Sequence, residues 1–74
     1  MEEFIKYFAD QFDVTEMEEF TPQCAFRELD EWSSLTGLAI LNVIGKKYGV
    51  QLTPSEMQKC ITIEDVYNLL QSKL

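Results

Sequence analysis

The chain has 74 residues, 46% of them hydrophobic, with 6 Lys and Arg against 13 Asp and Glu and a net charge of −7. This composition is too apolar for a disordered chain, and the length suits a single small domain over residues 1–74. An acidic chain repels nucleic acid phosphates and anionic lipid surfaces, so we expect neither as a partner. Ten of the acids lie in residues 1–37, which favours either a solvated acidic surface or a face for basic partner proteins.

The first half of the sequence predicts one helix and a long connection. Helical spacing of apolar residues indicates an amphipathic helix over about residues 2–13, built on Phe4, Ile5, Phe8 and Phe12. Residues 14–32 break this pattern and contain Pro22, which disfavours a helix just before it. We therefore expect a long loop, which can contain a short helical turn around residues 16–20. Scattered apolar residues would pin it to the core: Phe20, Phe26 and Leu29.

The second half predicts three helices. Ser33 is a good N-cap for a helix that is apolar on most sides and ends before Gly49. Residues 53–56, Thr-Pro-Ser-Glu, are typical of the start of a short third helix. Thr62 and the apolar spacing after it predict a last amphipathic helix. The expected fold is all-α: a small four-helix bundle of three main helices and one short helix, with a long loop between helices 1 and 2.

Features that the sequence lacks exclude several classes of protein. The longest apolar run, residues 37–44, is far shorter than the roughly 20 residues that a membrane span needs. The first residues lack the basic and apolar regions of a secretory signal, so we expect a cytoplasmic chain without a membrane partner. With no histidine in the sequence, Cys24 and Cys60 make a poor metal site, and we expect free thiols rather than a disulfide.

No residue pattern indicates catalysis. Without histidine there is no Ser-His-Asp or Cys-His arrangement, and three scattered glycines cannot form a phosphate-binding loop. The acids Glu28, Asp30 and Glu31 could supply a carboxylate pair for acid–base chemistry, but they are more typical of a solvated loop. We therefore expect no catalytic residues, no metal ligands and no enzymatic activity.

The informative segment is residues 29–36, Leu-Asp-Glu-Trp-Ser-Ser-Leu-Thr, which places two hydroxyls at the start of the most apolar helix. One interpretation is structural: Ser33 caps the helix and Ser34 is only its first residue. The other is that one hydroxyl is a modification site. A phosphate ester there would lie near free backbone N–H groups and the positive end of the helix dipole.

These residues resemble the motif of the acyl carrier protein family, in which a serine at the start of the second helix carries phosphopantetheine. Trp32-Ser33-Ser34-Leu35 is similar to the family's Asp-Ser-Leu motif, sometimes preceded by Trp, and it aligns Ser34 with the modified serine. Residues 47–52 resemble the family's aromatic-Gly-hydrophobic exit from helix two. Residues 62–67 resemble its Thr-hydrophobic start of the last helix. The resemblance covers essentially the whole chain.

The resemblance implies a stand-alone, monomeric carrier that holds acyl groups as thioesters on a covalent 4′-phosphopantetheine arm at Ser34. Its partners would be a phosphopantetheinyl transferase and the acyl-loading and acyl-processing enzymes of fatty acid, polyketide or related acyl metabolism. In the family the acyl chain shelters between helices, and four apolar positions are candidates for that shelter here: Leu38, Leu41, Val66 and Leu70.

Two positions depart from the family pattern. Ser33 replaces an Asp that helps to hold the metal ion during pantetheinyl transfer, a role for which Asp30 or Glu31 can substitute. Residues 34–48 contain no acid, although the family's second helix shows an acidic face to basic enzymes. Partner recognition would then rest on Asp30, Glu31 and Leu35, or on a different set of partners. Ser33 also favours a competing hypothesis, an unmodified helical interaction module, while an aminoacyl or peptidyl carrier would share the arm and differ in cargo.

Overall fold

Four helices and no strands make up the computed structural model, which describes residues 1–74. The helices are α1 (Glu2–Ala9), α2 (Ser34–Tyr48), α3 (Pro54–Gln58) and α4 (Ile63–Lys73). Two 3-10 turns interrupt the connection between α1 and α2: Met17–Glu19 and Phe26–Glu28. The predicted all-α class, with a long loop after the first helix and a short third helix, is confirmed. None of the helices has the length and apolar character needed to cross a membrane.

Helix α1 is shorter than its apolar pattern suggested. The predicted end at about residue 13 is wrong, because α1 ends at Ala9 and the next residues form a turn. The backbone N–H of Phe12 donates to the Ala9 carbonyl at 2.9 Å, an i to i+3 bond that leaves Phe12 buried. The amides of residues 13–15, which would have continued the helix, donate instead to the carboxylate of Glu31.

Side-chain caps set the starts of α2, α3 and α4, as the sequence predicts. The hydroxyls of Ser33, Thr53 and Thr62 each accept a hydrogen bond from the amide three residues later, at 3.2 Å in all three cases. Helix α2 ends at Tyr48, and the next residue, Gly49, has a φ of 69°, in the left-handed region that a glycine adopts without strain. These local signals fix where α2 begins and therefore where both serines lie.

The core is a cluster of sixteen buried apolar residues from all four helices and the long connection. The expected anchors of the connection reach it, since Phe20 and Phe26 are buried and Leu29 packs against the cluster. Phe26 links α1 to the residues just before α2: its ring centroid lies 5.3 Å from that of Phe8 in α1 and 5.0 Å from that of Trp32. The connection is thus packed down immediately before α2.

Backbone hydrogen bonds also tie the connection to the start of α4. The Cys24 carbonyl accepts from the Ile63 amide at 3.1 Å, and the Pro22 carbonyl accepts from the Glu64 amide at 2.9 Å. These carbonyls satisfy two N–H groups that the first turn of α4 cannot pair within the helix. Both cysteines are free thiols, Cys24 half-buried and Cys60 buried.

Candidate functional site

The two serines at the start of α2 differ in what their hydroxyls do. The Ser33 hydroxyl is the N-cap, which accepts from the Thr36 amide at 3.2 Å and lies 3.1 Å from the Thr36 hydroxyl. Ser34 is the first helical residue, and its exposed side chain makes no hydrogen bond within the chain. The capping interpretation is confirmed for Ser33, while the Ser34 hydroxyl is accessible and unengaged.

The helix end around Ser34 is electrostatically suited to an anion. The first intrahelical bond runs from the Gly37 amide to the Ser33 carbonyl at 3.0 Å, so the amides before it have no helical acceptor. These N–H groups carry the positive end of the α2 dipole. The first turn of α2 contains no acidic residue. A negatively charged group on Ser34 would therefore meet backbone donors and no carboxylate of the helix.

The Trp32 side chain packs against both the connection and α2. Its ring packs against Phe26 and lies 3.2 Å from the position that a Cβ on Gly37 would occupy. A Cβ at residue 37 would fit only if the indole moved by a few tenths of an ångström, so this glycine allows the close contact. Sequence reasoning missed Gly37, whose only signal is the cost of about 1 kcal/mol that a glycine carries inside a helix.

A cavity of about 250 Å³ opens beside Ser34, between α2 and α3. Four residues form its wall on the α2 side: Trp32, Gly37, Leu38 and Leu41. Three form its wall on the α3 side: Pro54, Met57 and Gln58. The walls are largely apolar, which suits a hydrocarbon group better than a polar one.

Arg27 crosses from the connection to α3 at the edge of this cavity. Its Nη1 donates to the Met57 carbonyl at 3.1 Å, and its guanidinium carbon lies 5.3 Å from the centre of the Phe26 ring. The side chain therefore joins the segment before α2 to the end of α3. Sequence reasoning missed Arg27 because its partner lies thirty residues away along the chain.

The four predicted shelter residues occupy two different places. Leu38 and Leu41 line the cavity, with 54% and 7% of their surface exposed. Val66 and Leu70, on α4, are completely buried in the core and do not line it. The structure thus brings the α2 pair to the cavity and places the α4 pair in the packing behind it.

Glu31 is bound to the chain that follows α1. Its two carboxylate oxygens accept hydrogen bonds from the amides of residues 13, 14 and 15 at 2.7, 2.9 and 2.7 Å, and from the Thr15 hydroxyl. The Thr15 hydroxyl, followed by the three amides, stabilises the ionised form and lowers the pKa of Glu31 to about 2. Glu31 therefore holds the loop in place rather than standing free in solvent.

The other two residues predicted for partner recognition are exposed. Leu35 shows 78% of its surface, and Asp30 is exposed in the turn that precedes Trp32. Of the two acids before Trp32, Asp30 is therefore the one whose carboxylate is not held by hydrogen bonds within the chain. No three Asp, Glu or Cys side chains come together in a group that could hold a metal ion.

Comparison with known families adds to this geometry. A family model described as the phosphopantetheine attachment site matches residues 2–70. The matched region extends from the start of α1 into the last turns of α4, so it includes the serines and the cavity beside them. Among curated proteins, none matches the chain.

Proposed function

Since that match spans most of its length, the chain belongs to the family of phosphopantetheine-carrying proteins, and we propose that Ser34 is the residue to which the arm is attached. Members of the family carry 4′-phosphopantetheine as a covalent prosthetic group. The chain is accordingly a carrier domain, and we propose that it presents a group to other enzymes and does not itself catalyse a reaction.

The choice of Ser34 rests on one observation: the hydroxyl of Ser33 is hydrogen-bonded as the helix cap, and the hydroxyl of Ser34 is not. Modification of the Ser33 hydroxyl would remove the cap of α2, because that oxygen accepts a hydrogen bond from the Thr36 amide. The Ser34 hydroxyl can react without loss of a contact, since it is exposed and unengaged. A phosphopantetheinyl transferase would join the Ser34 oxygen to the phosphate of the arm, with coenzyme A as the donor.

The surroundings of Ser34 fit the arm. A phosphodiester on this oxygen would lie at the positive end of the α2 dipole, where the amides of Ser34 and Leu35 have no acceptor within the helix and favour a negative charge. When attached, the arm supplies a terminal thiol that holds an acyl group as a thioester. The apolar walls of Leu38 and Leu41 could then shelter a short hydrocarbon chain from water. Val66 and Leu70 are completely buried and do not line the cavity, so a chain held there would not contact them without a rearrangement of the core.

For partner recognition we assign the exposed surface around Ser34. Asp30 and Leu35 flank the serine and are accessible to a transferase and to acyl-loading and acyl-processing enzymes. The exposed part of α2 continues through Leu38 to Lys46 without an acid. Glu31 contributes indirectly, because its bonds to residues 13–15 hold the loop that leads to Trp32.

We place the protein in acyl metabolism of the fatty acid or polyketide type, as a cytoplasmic monomer. Two alternatives differ in what they require of Ser34. An aminoacyl or peptidyl carrier needs the same arm with another cargo. An interaction module that has lost the modification needs no arm, and Ser33, in place of the family's Asp, is the feature that favours it.

Intact mass spectrometry tests the proposal directly. The purified chain is incubated with coenzyme A, Mg²⁺ and a broad-specificity phosphopantetheinyl transferase, and we expect a mass increase of one phosphopantetheine group. Ser34→Ala should abolish the increase with an unchanged helical signal in circular dichroism. Ser33→Ala should still be modified, although loss of the cap destabilises the fold by about 1 kcal/mol.

The outcomes separate the candidate functions. Modification that persists in Ser34→Ala, or moves to Ser33, would overturn the assignment of the site. If the folded wild-type chain is never modified, the interaction module replaces the carrier.

A further inference from the structure

Glu31 joins the chain that follows α1 to the chain that begins α2. Its carboxylate accepts hydrogen bonds from the amides of Asp13, Val14 and Thr15 and from the Thr15 hydroxyl, across sixteen to eighteen residues of sequence. On its other side, two residues separate Glu31 from Ser34. A movement of the Glu31 backbone is therefore transmitted to Ser34 through a very short piece of chain.

These hydrogen bonds occupy the Glu31 carboxylate. A carboxylate offers about four lone-pair sites, and it accepts four hydrogen bonds here. The three amides among the donors make no bond to another backbone group, so a cation on Glu31 would leave them without an acceptor. The geometry thus favours a role in holding the chain over the role of metal ligand, which the sequence alone allowed.

The residues next to Glu31 connect the same two segments. The ring of Trp32 is stacked on that of Phe12, in the turn after α1, with 6.4 Å between the centroids. The indole also packs against Gly37 in the first turn of α2. The Thr36 hydroxyl, in the same turn, lies 3.5 Å from the Glu31 carbonyl. The start of α2 is therefore tied to the end of the α1 segment by polar and aromatic contacts together.

The Ser34 hydroxyl depends on this support for its position. It makes no hydrogen bond of its own, and within α2 the only side-chain bond at the helix start is the Ser33 cap. A transferase must align the Ser34 oxygen with a phosphate of coenzyme A, and a misplacement of about 1 Å can cost about a hundredfold in rate. Contacts from outside the helix therefore affect how readily the serine reacts.

From these contacts we propose that Glu31 is a positioning residue for the modification of Ser34, which fixes the start of α2 against the chain after α1 and so presents the serine in one orientation. The proposal rests on the proposed function, since Ser34 must be the modified residue. A chain in which the Glu31 bonds are broken must return to the held form before the transferase can use it. Loss of these bonds therefore raises KM for the carrier by the inverse of the held fraction and leaves kcat unchanged.

Thr15→Val tests the proposal without a change in Glu31 or in the residues around Ser34. It replaces with a methyl group the hydroxyl that donates to the Glu31 carboxylate. Thr21→Val is the matched control, because Thr21 is an exposed threonine of the same connection whose hydroxyl makes no hydrogen bond within the chain. The readouts are kcat, KM and the Mg²⁺ dependence of modification by a broad-specificity phosphopantetheinyl transferase with coenzyme A.

We expect Thr15→Val and Glu31→Gln each to raise KM about two- to tenfold, with kcat and the Mg²⁺ dependence unchanged. The double variant should raise KM by less than the product of the two single effects, because both changes break the same hydrogen bond. Thr21→Val should keep the wild-type KM. So should Thr62→Ala, measured where all variants are folded, because it removes only the cap of α4.

Amide hydrogen exchange gives a second readout that needs no transferase. The amides of Thr36 and Gly37 donate to the hydroxyl and the carbonyl of Ser33. In Thr15→Val both should exchange faster than in wild type, because the first turn of α2 has lost part of its support. The Met57 amide, in α3, should exchange at the wild-type rate.

The outcomes separate this inference from the proposed function. If the wild-type chain is not modified at all, the proposed function fails, and unchanged exchange in Thr15→Val would be needed to reject the support of α2 by Glu31. A lower kcat with a higher Mg²⁺ requirement in Glu31→Gln would make the carboxylate a metal ligand and overturn the proposal. A Thr15→Val protein that is modified like Thr21→Val, or an equal rise of KM in Thr62→Ala, would also overturn it.

Discussion

The start of α2 is built differently from the starts of α3 and α4. All three have a hydroxyl cap, but α3 and α4 also have a complete capping box. Glu56 accepts from the Thr53 amide at 3.0 Å, and Asp65 accepts from the Thr62 amide at 3.0 Å. The equivalent residue of α2 is Thr36, which has no carboxylate to accept a hydrogen bond from the amide of the capping residue.

This difference shows how a helix end can be kept available for chemistry. A capping box pairs the orphan amides and adds a negative charge to the first turn, which stabilises the helix. At α2 the same carboxylate would lie next to Ser34 and oppose a phosphate on its hydroxyl. The chain therefore closes two helix ends and leaves the third one without the acid, where the proposed modification site lies.

The largest expected effect is the loss of stability on changing a core residue, compared with the loss on changing a helix cap. Leu41→Ala should lower the free energy of unfolding by about 2–5 kcal/mol, because it removes buried side-chain volume from α2. Thr53→Ala removes only the cap of α3 and should cost about 0.5–2 kcal/mol. Urea denaturation measures both. Equal small losses would mean that α2 is not central to the bundle.

The next prediction concerns Glu31, the carboxylate before α2. Its contribution to the stability of the fold should depend on pH. The folded pKa of Glu31, about 2, lies below its ordinary value of 4.5. Ionised Glu31 therefore stabilises the fold fully above about pH 5, and this contribution declines as the pH falls towards 2. Glu31→Gln should melt at a lower temperature than wild type at pH 7.

Melting curves at several pH values provide the control. The gap between wild type and Glu31→Gln should narrow steadily between pH 5 and pH 2. Asp30→Asn makes the same change of charge at the neighbouring exposed acid, and it should melt close to wild type at every pH. A gap for Glu31→Gln that stays constant with pH would exclude the carboxylate as its cause.

Ser33→Asp sharpens the comparison by adding charge at the cap of α2 instead of the third helical residue. Aspartate is also a good N-cap and favours the positive helix end by about 0.3–1 kcal/mol, so the fold should survive. Its carboxylate could help to hold Mg²⁺ against the phosphates of coenzyme A. We expect faster modification of Ser34 at limiting Mg²⁺ and a smaller gain at saturating Mg²⁺. Equal rates at limiting Mg²⁺ would mean that Asp30 supplies the ligand or that none is needed.

The smallest expected effect comes from making α2 resemble the other two helices. Thr36→Glu would complete a capping box and should stabilise the fold by about 0.3–1 kcal/mol. The same interaction energy, now repulsive towards the phosphate on Ser34, should slow modification about two- to fivefold. Thr36→Gln can complete the box without a charge, so it should stabilise the fold and keep the wild-type rate. Equal slowing by both variants would assign the effect to helix closure and not to charge.

The sequence by itself determined the all-α class, the order of the helices and the residues at which three of them begin. The caps at Ser33, Thr53 and Thr62 and the stop at Gly49 all involve partners three or four residues away. Such contacts are set by the local geometry of a helix, so the pattern of letters is sufficient to predict them. The position of Ser34 as the first residue of α2 follows from these contacts alone.

Only the tertiary structure decided what surrounds that serine. The bonds from residues 13–15 to Glu31 and from Arg27 to Met57 span sixteen to thirty residues. Apolar periodicity also could not tell the cavity wall at Leu38 from the core at Leu70, because both positions lie on apolar faces. Which face meets another helix and which borders a cavity depends on how the helices pack, and packing joins residues that are distant in sequence.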